Sequence, residues 1–128
     1  MVNILLVDDH EITRKGLKTV IQKELGPIYI DEAAGGDLAL RKIKFIDYQL
    51  VMLDENIPGT DSLTLIRDIL DAKPETNILM YSVNTELVIT KKYLQPDVKG
   101  FLNKCASVKE SITAITAILQ NRHISVLY

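Results

Sequence analysis

The chain has one cysteine, no tryptophan, four prolines and six glycines in 128 residues. A lone cysteine, Cys105, cannot close an internal disulfide, so stability must come from the core, and the cytoplasm is the expected compartment. No apolar run approaches the roughly 20 residues that cross a bilayer. The first residues run straight into a strand pattern, with no signal peptide before it. An excess of positive charge is missing too. Fifteen basic and 17 acidic residues give a net charge of -2, which excludes the basic field of a domain that itself grips phosphate backbones. Repeats, low-complexity tracts and Pro/Gly-rich linkers are absent. Hydrophobic residues at 47% and charged residues at 25% exclude a disordered chain, and the length suits one domain.

What is present is alternation. Short apolar runs rich in strand formers stand at Val2–Val7, Ile28–Ala33, Leu50–Leu53, Ile78–Tyr81 and Gly100–Leu102. Segments of helical period separate them. The first begins near Glu11, carries Ile12, Leu17, Val20 and Ile21, and stops at Gly26-Pro27. The second comes after Gly35-Gly36 with Leu38, Leu40, Ile43 and Ile46; the third covers about Asp61–Ala72. The fourth is expected over Thr85–Leu94. The fifth starts at Ser107 and is expected to bury Val108, Ile112, Ile115, Ile118 and Leu119. Ser107 with Glu110 three residues on reads as a capping box. Strands alternating with helices imply an α/β domain, a doubly wound five-stranded parallel sheet with both faces covered. The continuously apolar strands agree with that.

Such sheets bind ligands beyond the carboxyl ends of their strands. Asp8 and Asp9 come after the first strand, Asp54 ends the third, Ser82 the fourth and Lys104 the fifth. The second ends in Ala33-Ala34-Gly35-Gly36, with no ionisable group before Asp37. Adjacent carboxylates repel unless a cation joins them. A hard divalent ion such as Mg²⁺ takes oxygen ligands and suits Asp8, Asp9 and Asp54. Asp54 is placed to attack a phosphoryl group, whose oxygens Lys104 and Ser82 would neutralise or hydrogen-bond. Singly, each residue has a plainer reading as a cap or a solvated side chain. Their shared edge outweighs it.

These residues stand in motifs that resemble the receiver domain of two-component response regulators, over essentially the whole chain. The motifs are Leu5-Leu6-Val7-Asp8-Asp9-His10, Val51-Met52-Leu53-Asp54-Glu55-Asn56-Ile57-Pro58-Gly59, Met80-Tyr81-Ser82 and Gly100-Phe101-Leu102-Asn103-Lys104. The resemblance implies a (βα)5 flavodoxin-like receiver fold with strand order 2-1-3-4-5. It implies that Asp54 is the phosphoacceptor. Asp8, Asp9, Asp54 and the backbone carbonyl of Asn56 would hold Mg²⁺ or Mn²⁺. Ser82 would be the switch hydroxyl, Phe101 the switch aromatic and Lys104 the lysine that meets the phosphoryl group. A sensor histidine kinase would be the donor, with acetyl phosphate as a small substitute, and the domain would signal rather than act as an enzyme.

Val7-Asp8-Asp9-His10, Lys99-Gly100-Phe101-Leu102 and Ala106-Ser107 resemble the NarL/LuxR-type subfamily, where a helix-turn-helix DNA-binding domain lies beyond the receiver. The expected organisation is a receiver over residues 1–122 and the start of a linker over 123–128. Control of transcription and contact with DNA would belong to a domain outside this chain. Homodimers are expected through the predicted fourth helix, fifth strand and fifth helix, or through the first and fifth helices. A stand-alone receiver is the alternative.

The chain departs from the family pattern at four places. Cys105 stands where many receivers have a cis proline, so no cis bond is expected. Ser62 replaces a glycine and is expected to tighten its turn. Val83 replaces a small residue beside Ser82. Gln95-Pro96-Asp97 replaces an Ala-Gly pair. None touches Asp8, Asp9, Asp54 or Lys104.

Three rivals share the fold. An aspartyl-phosphate phosphatase needs a second aspartate two residues beyond the nucleophile, where Asn56 stands. An FMN carrier needs a phosphate-cradling loop, which Asp8-Asp9 would repel. A phosphorylation-independent dimerisation module needs no metal. His10 is expected as a helix-start residue, and Arg14 and Lys15 as a solvated face or, with Ile12, a kinase contact.

Overall fold

The computed structural model describes residues 2–83 and 98–120. The strands are β1 (Asn3–Val7), β2 (Tyr29–Ala33), β3 (Leu50–Asp54), β4 (Ile78–Ser82) and β5 (Gly100–Asn103). The helices are α1 (Glu11–Leu25), α2 (Gly36–Phe45), α3 (Ser62–Ala72) and α4 (Val108–Leu119). The expected helix over Thr85–Leu94, Gln95-Pro96-Asp97 and the 123–128 segment lie outside the described residues. All strands pair in parallel in the order β2-β1-β3-β4-β5, as the alternation and the resemblance imply.

Both sheet faces are buried, so alternate residues of β1, β3 and β4 serve two cores. Leu5, Val7, Val51, Leu53, Ile78 and Met80 pack with Ile43, Leu65, Ile66 and Ile69 from α2 and α3. Ile4, Leu6, Leu50, Met52 and Leu79 pack with Ile21 of α1 and Ile115 and Ile118 of α4. Each such side chain contributes about 1.5–3 kcal/mol on burial.

The strands run slightly further than their apolar runs. A parallel ladder needs backbone groups, not apolar side chains, so Asp54 pairs opposite Tyr81, and Ser82 opposite Asn103. Asp54 and Ser82 are therefore part of the sheet and inherit its rigidity, while Asp8, Asp9 and Lys104 come just after their strands.

Three expected inward residues lie outside. Ile12 is 89% exposed and Val108 51% exposed, each in the first turn of its helix, where the helix has only begun to meet the sheet. Leu38 is exposed as well, and the smaller Ala39 takes the inward position. The capping box at Ser107 forms, with the Ser107 hydroxyl accepting from Glu110 N and Glu110 Oε1 accepting from Ser107 N. Asp61 caps α3. Gly59 turns the chain at φ 76°, a conformation side chains resist. The buried Ser62 hydroxyl donates to the Glu55 carbonyl at 2.7 Å, tightening the turn as expected.

Edge strand β2 breaks the apolar pattern with Asp31 and Glu32. Asp31 accepts from Lys42 Nζ and from the buried Tyr48 hydroxyl, each at 2.8 Å. Burial would push the Asp31 carboxyl up, but Lys42 and Tyr48 hold it below the usual range, and burial together with the same contact pushes the Tyr48 phenol well above its own. Tyr48→Phe removes one hydrogen bond to a charged acceptor, and urea unfolding should show a loss of about 1.5 kcal/mol. A carboxyl with a depressed folded pKa stabilises the fold above its unfolded pKa and loses that contribution as pH falls through the folded one. The gap between wild type and Asp31→Asn should therefore close as pH drops below about 4.

Candidate functional site

β1 and β3 are neighbours, so their carboxyl ends bring Asp8 and Asp54 side by side. Each is only 3% exposed. From β5, across the switch in strand order, Lys104 reaches over both. Its Nζ lies 3.0 Å from Asp8 Oδ2 and 3.1 Å from Asp54 Oδ2. Its stem passes Tyr81, with the ammonium 5.5 Å from the ring centre. Asp8 Oδ1 accepts from His10 N at 2.9 Å, and Asp54 Oδ1 from Asn56 N at 3.1 Å.

Asp54 Oδ2 is different. It is buried, and the contact with Lys104 is an ion pair without the angle of a hydrogen bond, so this oxygen has no hydrogen-bond partner among the described residues. A buried carboxylate oxygen left in that state costs free energy. It lies at a cluster in which ligand atoms of Asp8, Asp9, His10 and Asp54 all fall within 4.8 Å of one another. Two or three carboxylates around an unsatisfied oxygen match the donor set of a hard divalent cation.

The charges are strongly interdependent. Burial would raise Asp8, but the His10 backbone amide, Lys104 and the His10 ring outweigh it and hold the carboxyl below its ordinary range. For Asp54 burial dominates, reinforced by the neighbouring Asp8 charge, and its carboxyl sits above the ordinary range despite Asn56 N and Lys104. Burial disfavours the Lys104 charge, but Asp8 and Asp54 more than offset it and raise its pKa. One cation thus serves two buried acids unequally.

Ser82, Val83, Asn56 and Lys104 wall a cavity of about 320 Å³ over Asp54. Ser82 is buried at the end of β4, and its carbonyl accepts from Lys104 N at 2.9 Å. Val83 is exposed at the cavity wall. Phe101 does not line this cavity. Its ring is buried in the core shared with α2 and α3. Cys105 comes next after Lys104, with no cis bond among the described residues.

Two features are not evident from the sequence. His10 does stand at the start of α1, but its Nδ1 also lies 3.0 Å from Asp8 Oδ1 and 3.2 Å from Asp9 Oδ1. Arg14 is not solvated. Its side chain is 13% exposed and ties Glu32 of β2 to the Asp8 carbonyl. The signal available for the second feature is the acidic pair inside β2, an anomaly in a buried sheet.

Comparison with known proteins agrees with this geometry. The response regulator UvrY of Escherichia coli K12 is 31% identical over 118 residues, covering 92% of this chain and 54% of that protein. The transcriptional activator protein ExaE of Pseudomonas putida is 32% identical over 116 residues, covering 91% and 54%. The chain thus spans about half the length of the curated relatives it matches. The crystal structure of a LuxR-family two-component response regulator from Aurantimonas sp. SI85-9A1 superposes with a TM-score of 0.88 at 28% identity, covering 96% of this chain and 88% of that one. Residues 4–116 match the response regulator receiver domain family, and the chain belongs to that family of signalling domains.

Proposed function

We propose that the carboxyl-edge cluster is a Mg²⁺-dependent phosphoacceptor site, with Asp54 as the acceptor and a sensor histidine kinase as the donor. The observation that carries this is Asp54 Oδ2, buried between a second acid and a lysine and without a hydrogen-bond partner among the described residues. An Asp54 oxygen attacks phosphorus, the bond from phosphorus to the histidine nitrogen or acetate oxygen breaks, and its electron pair leaves with that group. Mg²⁺ or Mn²⁺, held by Asp8, Asp9, Asp54 and the Asn56 carbonyl, supplies charge neutralisation at the phosphoryl oxygens.

The chain's own groups do the rest. Lys104 already faces both acids and moves with its charge onto the new phosphoryl group. Ser82, at the cavity wall, donates its hydroxyl to a phosphoryl oxygen. The modification adds about -1.5 to -2 charge at one point. Phe101 is buried, and phosphorylation shifts the population of its ring positions as Ser82 moves toward the phosphoryl group. The readout is the surface around β5 and α4, where homodimers form, or the α1 and α4 faces. The receiver occupies residues 1–122, and 123–128 lead toward a helix-turn-helix domain that contacts DNA in the cytoplasm. No helix among the described residues is long and apolar enough to cross a membrane. No outside substrate is turned over beyond self-phosphorylation and loss of that phosphate.

Intact-mass spectrometry after acetyl phosphate tests the reading. One added phosphate is expected with Mg²⁺ and none with EDTA. No adduct from either acetyl phosphate or a cognate kinase would end it. Metal binding has its own test. A ligand that binds only the folded state stabilises it by about 2.7 kcal/mol at a hundred times its Kd, so the melting temperature should climb through millimolar Mg²⁺. A flat response would remove the metal from this account.

A further inference from the structure

We propose that Arg14 and Glu32 are positioning residues for the acidic site: together they hold the turn that carries Asp8 and Asp9 in the arrangement a divalent cation needs. This rests on the metal reading above.

Between the end of β1 at Val7 and the start of α1 at Glu11 stand only Asp8, Asp9 and His10. The turn has no proline to stiffen it, and it carries two like charges beside a third. Its amino side is tied by Asp8 N to the Ala33 carbonyl at 3.1 Å. The Asp8 carbonyl lies past the last paired residue of β1. Arg14 takes it instead, with Nη1 donating at 2.6 Å, while Nε donates to Glu32 Oε1 at 3.0 Å. One guanidinium thus joins α1, the β1 turn and β2. The second Glu32 oxygen accepts from Lys15 Nζ at 2.8 Å.

Glu32 therefore does two things. It orients Arg14 toward the Asp8 carbonyl, and it engages the two cations in the opening turns of α1. Released, either one becomes a competitor for the carboxylates that Lys104 and the His10 ring now face. An ordinary surface ion pair is worth little. This pair is mostly buried, at 13% and 15% side-chain exposure, and uses two guanidinium nitrogens for two different elements. A lysine ammonium lacks the planar fork that sets two nitrogens at a fixed spacing, one for each acceptor.

Arg14→Lys and Glu32→Gln discriminate this from a structural tie. Mg²⁺ is titrated against the melting temperature and, separately, against acetyl phosphate uptake, in wild type, both single variants and the double. Loss of a group that orients metal ligands weakens metal affinity roughly 10–100-fold. Each single variant should need at least roughly ten times more Mg²⁺ for half its thermal shift. The double should be little worse than either, because the two act as one unit. Phosphate uptake should recover at saturating Mg²⁺. Variants that melt lower without metal yet keep the wild-type Mg²⁺ midpoint would overturn the proposal and leave a structural pair only. A wild type that shows no Mg²⁺ shift overturns the metal reading and this inference with it. If one variant fails to fold, the midpoint of the other decides by the same criterion.

Discussion

Asp54→Asn takes up no phosphate, from acetyl phosphate or from a kinase, at any Mg²⁺ concentration. The expected loss is complete, because an amide oxygen is neither anionic nor able to form the acyl phosphate that the two-electron displacement requires. The loss is not a folding defect, and the structure says why. Burial and the Asp8 charge hold the Asp54 carboxyl above its ordinary range in the folded chain. An acid with a raised folded pKa weakens the fold at pH above that pKa, and the penalty disappears as pH falls through it. A neutral isostere removes the penalty, so Asp54→Asn should melt higher than wild type near neutral pH in EDTA. The difference should narrow toward acid pH. A variant that both unfolds and loses phosphate would mean that Asp54 supports the fold instead.

Lys104→Met should have the largest cost to stability. Methionine keeps much of the stem beside Tyr81 and deletes the charge. Asp8 and Asp54, each 3% exposed, then face one another without a cation. Removing one partner of a buried pair costs about 3–5 kcal/mol. Urea unfolding at neutral pH in EDTA should show this. Mg²⁺ should then restore more stability than it adds to wild type, since it becomes the sole compensating charge. A loss that Mg²⁺ does not reduce would mean that Lys104 packs rather than neutralises. The phosphate should still attach in this variant, but without the lysine's move that couples it to β5.

The carboxyl edge was legible from sequence for a physical reason. A parallel sheet places every strand end on one line, so the polar residues at the end of each apolar run gather into one site. Asp8, Asp9, Asp54, Ser82 and Lys104 were found in that way, and Asn56 by resemblance. What stayed hidden depends on side chains reaching between elements far apart in sequence. Arg14 on a charged helix looks solvated until Glu32 of β2 is placed beside it, whereas Lys15, paired with the same carboxylate, does stay largely exposed. Tyr48 looks like a loop aromatic until Asp31 receives its hydroxyl. Ile12 and Val108 carry the right period for burial, but the period does not say where a helix first meets the sheet. The Asp54 oxygen that lacks a hydrogen-bond partner among the described residues is invisible to sequence altogether, and it is the observation on which the proposed phosphoacceptor role rests.

The central claim is that one carboxylate, Asp54, receives the phosphoryl group. Borohydride reduces an aspartyl phosphate to a homoserine side chain with release of phosphate, and leaves a free carboxylate untouched. Peptide mass mapping of the wild-type chain, reduced after acetyl phosphate and Mg²⁺, reads the position directly. Homoserine at residue 54 alone, absent when Mg²⁺ is withheld, is the predicted result. Homoserine at residue 8 or 9, or an adduct that survives as phosphoserine or phosphohistidine elsewhere, would contradict the account.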